Sequence, residues 1–171
     1  MSVIEHKKNS RVVSCMIITV SDSRTLYTDK SGQLMEQLLI DANHKIAGRN
    51  VVHDDIASIR NAVVSATLMS DVDAVLINGG TGMAGRDVTI EAVEPMLEKE
   101  MPGFGEIFRM LSYQKDIGSA AILSRAIAGI RGFTPIFAVP GSSGAVKLAM
   151  NELIIPELTH IVNEATKDHK A

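Results

Sequence analysis

Two carboxylates stand in settings where they could do chemistry. Asp87 comes just after a stretch with four glycines in seven residues, Gly79, Gly80, Gly82 and Gly85. Glycines beside the start of a helix let a phosphate approach backbone N–H groups closely. A carboxylate next to a bound phosphate repels it unless a divalent cation lies between them. Mg²⁺ takes that position readily, sharing one or two carboxylates with phosphate oxygens and water. Asp87 therefore has two readings: it helps hold a metal–nucleotide pair, or it caps the helix that begins beside it. Asp54, after a weaker β-like stretch, has the same two.

Other groups extend the pattern. Pro140-Gly-Ser-Ser-Gly144 is a second glycine loop, where Ser142 and Ser143 either bind phosphate or cap the last helix. Lys147, one turn further on, reaches an anion or solvates its helix face. Asp22 and Asp29 lie in a polar loop and are equally readable as turn formers. Several chemistries are excluded. Gly80-x-Gly82-x-x-Gly85 has dinucleotide spacing, but that fingerprint belongs to a first strand–helix turn and needs an acid at the end of the next strand. Here the loop follows the third strand, and Glu98 stands at a helix end. No Gly-Lys dipeptide exists for a P-loop. His6, His44, His53, His160 and His169 lack zinc spacing. No nucleophile elbow or Ser/His/Asp order supports a covalent hydrolase.

The elements that must position these groups follow from hydrophobic pattern. Residues 12–20 are nearly all apolar, as in a strand buried on both faces. Met35, Leu38, Leu39 and Ala42 place an amphipathic helix over 31–43. A weak strand is expected at 46–52, then a helix carrying Ile56, Ile59 and Val63, capped by Asp54 or Asp55. Residues 72–77 are a short buried strand. Asp87 is expected to cap a helix with Ile90, Val93 and Leu97 on one face. A helix follows at 104–114, a small-residue stretch at 120–131 readable either way, and a strand at 133–139. The last element carries Val146, Ala149, Met150 and Leu153, then Leu158, Ile161, Val162 and Ala165; Pro156 should kink or split it. Alternation of apolar strands with helices means an α/β protein with a mostly parallel sheet covered on both faces. Ligands then bind outside the carboxyl ends of the strands.

The totals agree. Of 171 residues, 46% are hydrophobic and 22% charged, which is ordinary for one globular domain. A formal net charge of -3 gives no general pull toward nucleic acid or an anionic membrane. The one cysteine, Cys15, reads as a small buried hydrophobe and cannot form an internal disulfide. No apolar run is long enough to span a membrane and no signal-peptide pattern is present, so a cytoplasmic protein is expected. Residues 1–10 read as a mobile tail, and 11–171 as a single domain.

Six stretches together resemble the bacterial MoaB/MogA family of molybdenum cofactor biosynthesis, related to the molybdopterin-binding domains of gephyrin-type proteins. They are Thr19-Val-Ser-Asp-Ser-Arg24, Asp29-Lys-Ser-Gly32, Asn78-Gly-Gly-Thr-Gly82 with Arg86-Asp-Val-Thr89, Pro102-Gly-Phe-Gly-Glu106, Leu123-Ser-Arg-Ala126 and Pro140-Gly-Ser-Ser-Gly-Ala145. Each is weak alone; in order along almost the whole chain, the set is specific. The resemblance implies a three-layer αβα sandwich that assembles as a trimer or, in the MoaB type, a hexamer. It implies adenylylation of molybdopterin by Mg-ATP with release of pyrophosphate, before a separate protein inserts molybdate. Asp87 falls on the family's essential acidic position and Asp54 on its second, both toward Mg²⁺. Ser21, Asp22, Ser31, Gly79, Gly80, Thr81, Gly82, Ser124, Gly141, Ser142, Ser143 and Gly144 fall on its substrate- and nucleotide-binding stretches. Two departures stand out: His53 where proline usually precedes the second acid, and Ser143 where the last loop of MogA-type members commonly has proline. The latter points to the MoaB type. The alternative function is a non-catalytic molybdopterin-binding or scaffold protein of the same pathway.

Overall fold

The computed structural model describes residues 11–170. The tail expected at 1–10 lies outside them. Six strands form one sheet: β1 (Ser14–Val20), β2 (Lys45–Val52), β3 (Ala74–Asn78), β4 (Lys99–Glu100), β5 (Ile127–Arg131) and β6 (Thr134–Val139). Their order is β2-β1-β3-β6-β5-β4. The four strands from β2 to β6 are mutually parallel, whereas β5 and β4 add as an antiparallel edge. Among the described residues six α-helices complete the layers: α1 (Lys30–Asp41), α2 (Ile56–Leu68), α3 (Thr89–Val93), α4 (Pro102–Lys115), α5 (Ser143–Ala149) and α6 (Ile155–Thr166).

Side-chain alternation along the central strands divides the core in two. Cys15 and Ile17, Leu76, and Phe137 face α1, α4, α5 and α6. Ile18 and Val20, Val75 and Ile77, and Ile136 and Ala138 face α2 and α3. This is the mostly parallel sheet covered on both faces that the pattern predicts, and the three-layer αβα sandwich that the resemblance implies. Burial pushes the Cys15 thiol up to about 12, so it is an inert packing group. Among the described residues no helix is long and apolar enough to cross a membrane.

One local expectation is corrected and two take definite form. The helix after Asp87 is only Thr89–Val93; a 3₁₀ turn, Glu94–Met96, follows around Pro95, so Leu97 lies outside it. Residues 120–131 divide: Gly118–Leu123 is 3₁₀ and Ile127–Arg131 is β5. The last element divides as expected, with the break lying just ahead of Pro156. A π segment, Met150–Ile154, precedes it, and Ile155 N–H donates to the Met150 carbonyl, five residues back. The wider turn absorbs the proline, which lies in the first turn of α6, where an N–H is dispensable.

Candidate functional site

The chain leaves β1 for one side of the sheet to make β2, then returns to make β3 on β1's other side. The carboxyl ends of β1 and β3 are thus where the winding reverses, the position at which such sheets bind ligands. A cleft of about 480 Å³ opens there. The β1 end supplies Ser21, Asp22 and Arg24, the β2 end Asp54, and the β6 end Pro140 and Gly141. The β3 end supplies Gly79 to Gly82, Arg86 and Asp87, and Ser124 comes from the segment entering β5.

The glycines are required by what surrounds them. Gly79 and Gly80 have φ of +92° and +65°, in the left-handed region where a side chain is strained. A Cβ on Gly79 would also collide with the Val20 carbonyl. On Gly80 it would stand 2.6 Å from Asp54 Oδ1, and on Gly82 it would stand 2.5 Å from Asp87 Oδ2. Both carboxylates therefore lean onto bare Cα atoms of one loop. Gly85, which completes the dinucleotide-like spacing, has nothing within 4 Å of where its Cβ would be.

Neither acid is a helix cap. Asp55 caps α2, its carboxylate accepting from Ser58 N–H at 2.8 Å and from the Ser58 hydroxyl at 2.6 Å, which holds its pKa below the ordinary aspartate range. The expectation that Asp87 caps its helix is overturned: the cap position of α3 is Val88, with no side-chain bond. Asp87 Oδ2 instead turns back to accept from Ala84 N–H at 3.0 Å. Among the described residues, Asp54 Oδ1 is buried without a hydrogen-bond partner. Burial, then the charges of Asp22 and Asp87, raise the Asp54 pKa, while Arg86 pulls it down. A covered, unpartnered carboxylate oxygen among like charges is what a cation would satisfy. Among the described residues no three His, Cys, Asp or Glu side chains gather as a metal site of their own. A cation would thus need further oxygens from a ligand and water, as Mg²⁺ commonly does.

Beneath the cleft lies a polar network. Asp29, 1% exposed, caps α1 through Gly32 N–H at 2.9 Å. It also accepts from the Thr19 hydroxyl at 2.7 Å and from Arg49 Nη2 at 3.3 Å. Asn78 Nδ2 donates to Thr19 Oγ1 at 2.9 Å, and the Ser31 hydroxyl lies 2.7 Å from Asn78 Oδ1. Arg24 Nη1 donates to Ser31 Oγ at 2.6 Å, which holds this lining arginine from below. Ser31 is therefore a buried support rather than part of the lining. Ser142, Ser143 and Gly144 also fall outside the lining; Ser142 caps α5, its hydroxyl accepting from Ala145 N–H at 3.2 Å.

Sequence reasoning assigned no role to Arg24, Asn78 or Arg125. The available signal for Arg125 was a lone arginine among small and apolar residues, between Ser124 and Ala126.

A doubly wound αβα sandwich with a glycine-floored, acid-flanked cleft at its switch point defines an α/β domain whose candidate ligand site lies at the carboxyl ends of its strands. Comparison with known proteins makes this specific. Residues 16–160 match the family described as a probable molybdopterin binding domain. Molybdenum cofactor biosynthesis protein B of Bacillus subtilis (strain 168) is 59% identical over 169 residues, covering 98% of this chain and 99% of that one. A crystal structure of a molybdenum cofactor biosynthesis protein B superposes with a TM-score of 0.91 at 57% identity, over 92% of this chain and 98% of the other. The tungsten cofactor synthesizing protein MoaB from Pyrococcus furiosus gives 0.81 at 37% identity, over 91% and 98%. The chain belongs to the MoaB/MogA molybdopterin-binding family of molybdenum cofactor biosynthesis.

Proposed function

We propose that this protein acts in molybdenum cofactor biosynthesis by transferring the adenylyl group of ATP to molybdopterin. A terminal phosphate oxygen of molybdopterin attacks the α-phosphorus of ATP. The bond from that phosphorus to the oxygen bridging to the β-phosphate breaks, and pyrophosphate leaves. The observation that carries this reading is the placement of Asp54 and Asp87 on the glycines of one loop, in the same cleft as Arg24 and Arg86.

Bringing two anionic phosphates together makes positioning and charge neutralisation the main tasks. Bare backbone at Gly79 to Gly82 gives phosphate close access to the loop. Arg24 and Arg86, from the β1 and β3 ends, supply positive charge. Asp54 and Asp87 would hold Mg²⁺, which neutralises charge on the phosphates when bound. Ser21, Asp22, Ser124 and Gly141 line the remaining surface, where pterin and ribose groups would lie.

The test is pyrophosphate release from Mg-ATP that depends on molybdopterin. Binding of the pterin without pyrophosphate would favour the scaffold reading instead. A pH profile gives a second check. A proton on Asp54 cancels its charge, so kcat/KM should fall on the acid side through the raised pKa of this residue. Asp22→Asn removes one of the charges that raise it, so the acid limb should move to lower pH; an unmoved limb assigns it to another group.

The adenylylated pterin would pass to a molybdate-inserting protein. The same reading carries assembly as a trimer or hexamer. The outward-facing Ile107, Met110 and Tyr113 of α4, 44%, 50% and 61% exposed, support self-association. Light scattering should give the mass of three or six chains; a one-chain mass contradicts this part.

A further inference from the structure

The segment that carries Asp87 has little of its own to hold it. Residues 83–86 are exposed, and α3 has five residues and no side-chain cap. Thr89 anchors the far end: its N–H donates to the Gly80 carbonyl at 2.9 Å and its hydroxyl to the Gly79 carbonyl at 2.8 Å. The turn closes on itself through Asp87 N–H to the Ala84 carbonyl at 2.9 Å. Among the described residues, the hydrogen bonds that tie Gly82 and Asp87 to a distant part of the chain come from Arg125. Its Nε donates to the Thr81 carbonyl at 2.9 Å, and its Nη2 to the Gly82 and Asp87 carbonyls at 2.7 and 3.2 Å. Its Nη1 pairs with the Glu91 carboxylate on α3. One guanidinium thus grips both sides of the turn and the helix that follows.

We propose that Arg125 is the positioning residue that sets the Asp87 turn, and so the spacing between the Asp87 carboxylate and the glycine floor. The proposal rests on the adenylyltransfer reading for its chemical consequence. A guanidinium suits the task because its planar fork holds five N–H donors in a fixed, spread geometry, whereas an ammonium has three on one freely turning atom. The backbone next to Arg125 is backed by α4. A Cβ on Gly105 would stand 2.7 Å from the Ala126 carbonyl, so the helix lies directly against the strand entry that carries Arg125. Gly105 and Arg125 come from two of the stretches that carried the family resemblance, and the structure joins them into one support for the loop.

The test uses the full chain with Arg125→Met and Arg125→Lys. Amide hydrogen exchange without ligand should show residues 82–88 exchanging roughly tenfold faster or more in Arg125→Met, with β1, β3 and β6 unchanged. In the pyrophosphate assay, kcat should fall roughly tenfold or more while KM for ATP stays within about twofold. In an Asp87→Asn background, Arg125→Met should cost nothing further, because the two act as a unit. Should Arg125→Met loosen the strands as well, Arg125→Lys decides: it keeps the charge and loses the fork, and the same segment alone should exchange faster. Unchanged exchange of 82–88, an unchanged kcat, or losses that multiply in the double variant would each overturn the proposal. A wild type that releases no pyrophosphate refutes the adenylyltransfer reading instead, and the exchange data still decide whether Arg125 sets the turn.

Discussion

Asp87→Ala is expected to lower molybdopterin-dependent pyrophosphate release about a hundredfold or more. The magnitude follows from the several kcal/mol of charge stabilisation that a positioned metal–phosphate ligand supplies, at about 1.4 kcal/mol per factor of ten. Asp87 is well suited to such a test because the fold asks little of its side chain. It does not cap α3, and among the described residues its side chain bonds to Ala84 N–H in an exposed turn. Losing that bond costs on the order of 1 kcal/mol, so the variant should melt close to the wild type. Loss of turnover with an intact fold is the expected pair of results. Turnover equal to wild type would remove Asp87 from the chemistry.

Asp29→Ala is expected to act the opposite way, on the fold first. Asp29 is 1% exposed, with Arg49 Nη2 at 3.3 Å and Arg24 Nη1 at 3.9 Å. Its carboxylate also satisfies Gly32 N–H and the Thr19 hydroxyl. Gly32 has no room for a side chain, since a Cβ there would collide with that carboxylate. Removing one partner of a buried ion pair costs roughly 3–5 kcal/mol, because the other charge is left without compensation. Arg49 keeps Glu36 at 2.9 Å and the Leu26 carbonyl at 3.2 Å, so the loss should lie toward the lower end of that range. Urea unfolding should therefore show a loss of that order, with Arg24 and Asn78 losing their order beneath the cleft. A loss below about 1 kcal/mol would mean that Asp29 is only the turn former suggested by its sequence setting.

That contrast shows where sequence reading reaches. Residues 12–20, 72–77 and 133–139 were legible as strands because the parallel centre of the sheet is buried on both faces, which leaves unbroken apolar runs. The antiparallel edge was not. β5 is Ile127-Ala-Gly-Ile-Arg131, a mix of small, apolar and charged residues with no clear period, and β4 is two charged residues paired with it through the backbone. The glycine loop and its acid were visible as a ligand loop, but the direction of the carboxylate was not. Asp87 and Asp55 both precede helices, and only the folded backbone shows that the first serves a turn and the second a cap. Asp29 and Arg125 escaped because their partners lie far along the chain: Arg49 on β2 for the first, the carbonyls of residues 81–87 for the second. A group satisfied at long range leaves no local pattern.

The central claim is that the cleft makes a bond between molybdopterin and the adenylyl group of ATP. It is tested most directly by incubating the purified protein with molybdopterin and Mg-ATP and weighing the pterin products by mass spectrometry. The expected product is molybdopterin carrying one adenylyl group, formed with an equal amount of pyrophosphate and absent when Mg²⁺ is withheld or Asp87 is alanine. Molybdopterin recovered bound but unmodified, with ATP intact, would contradict the claim and leave a binding protein in its place.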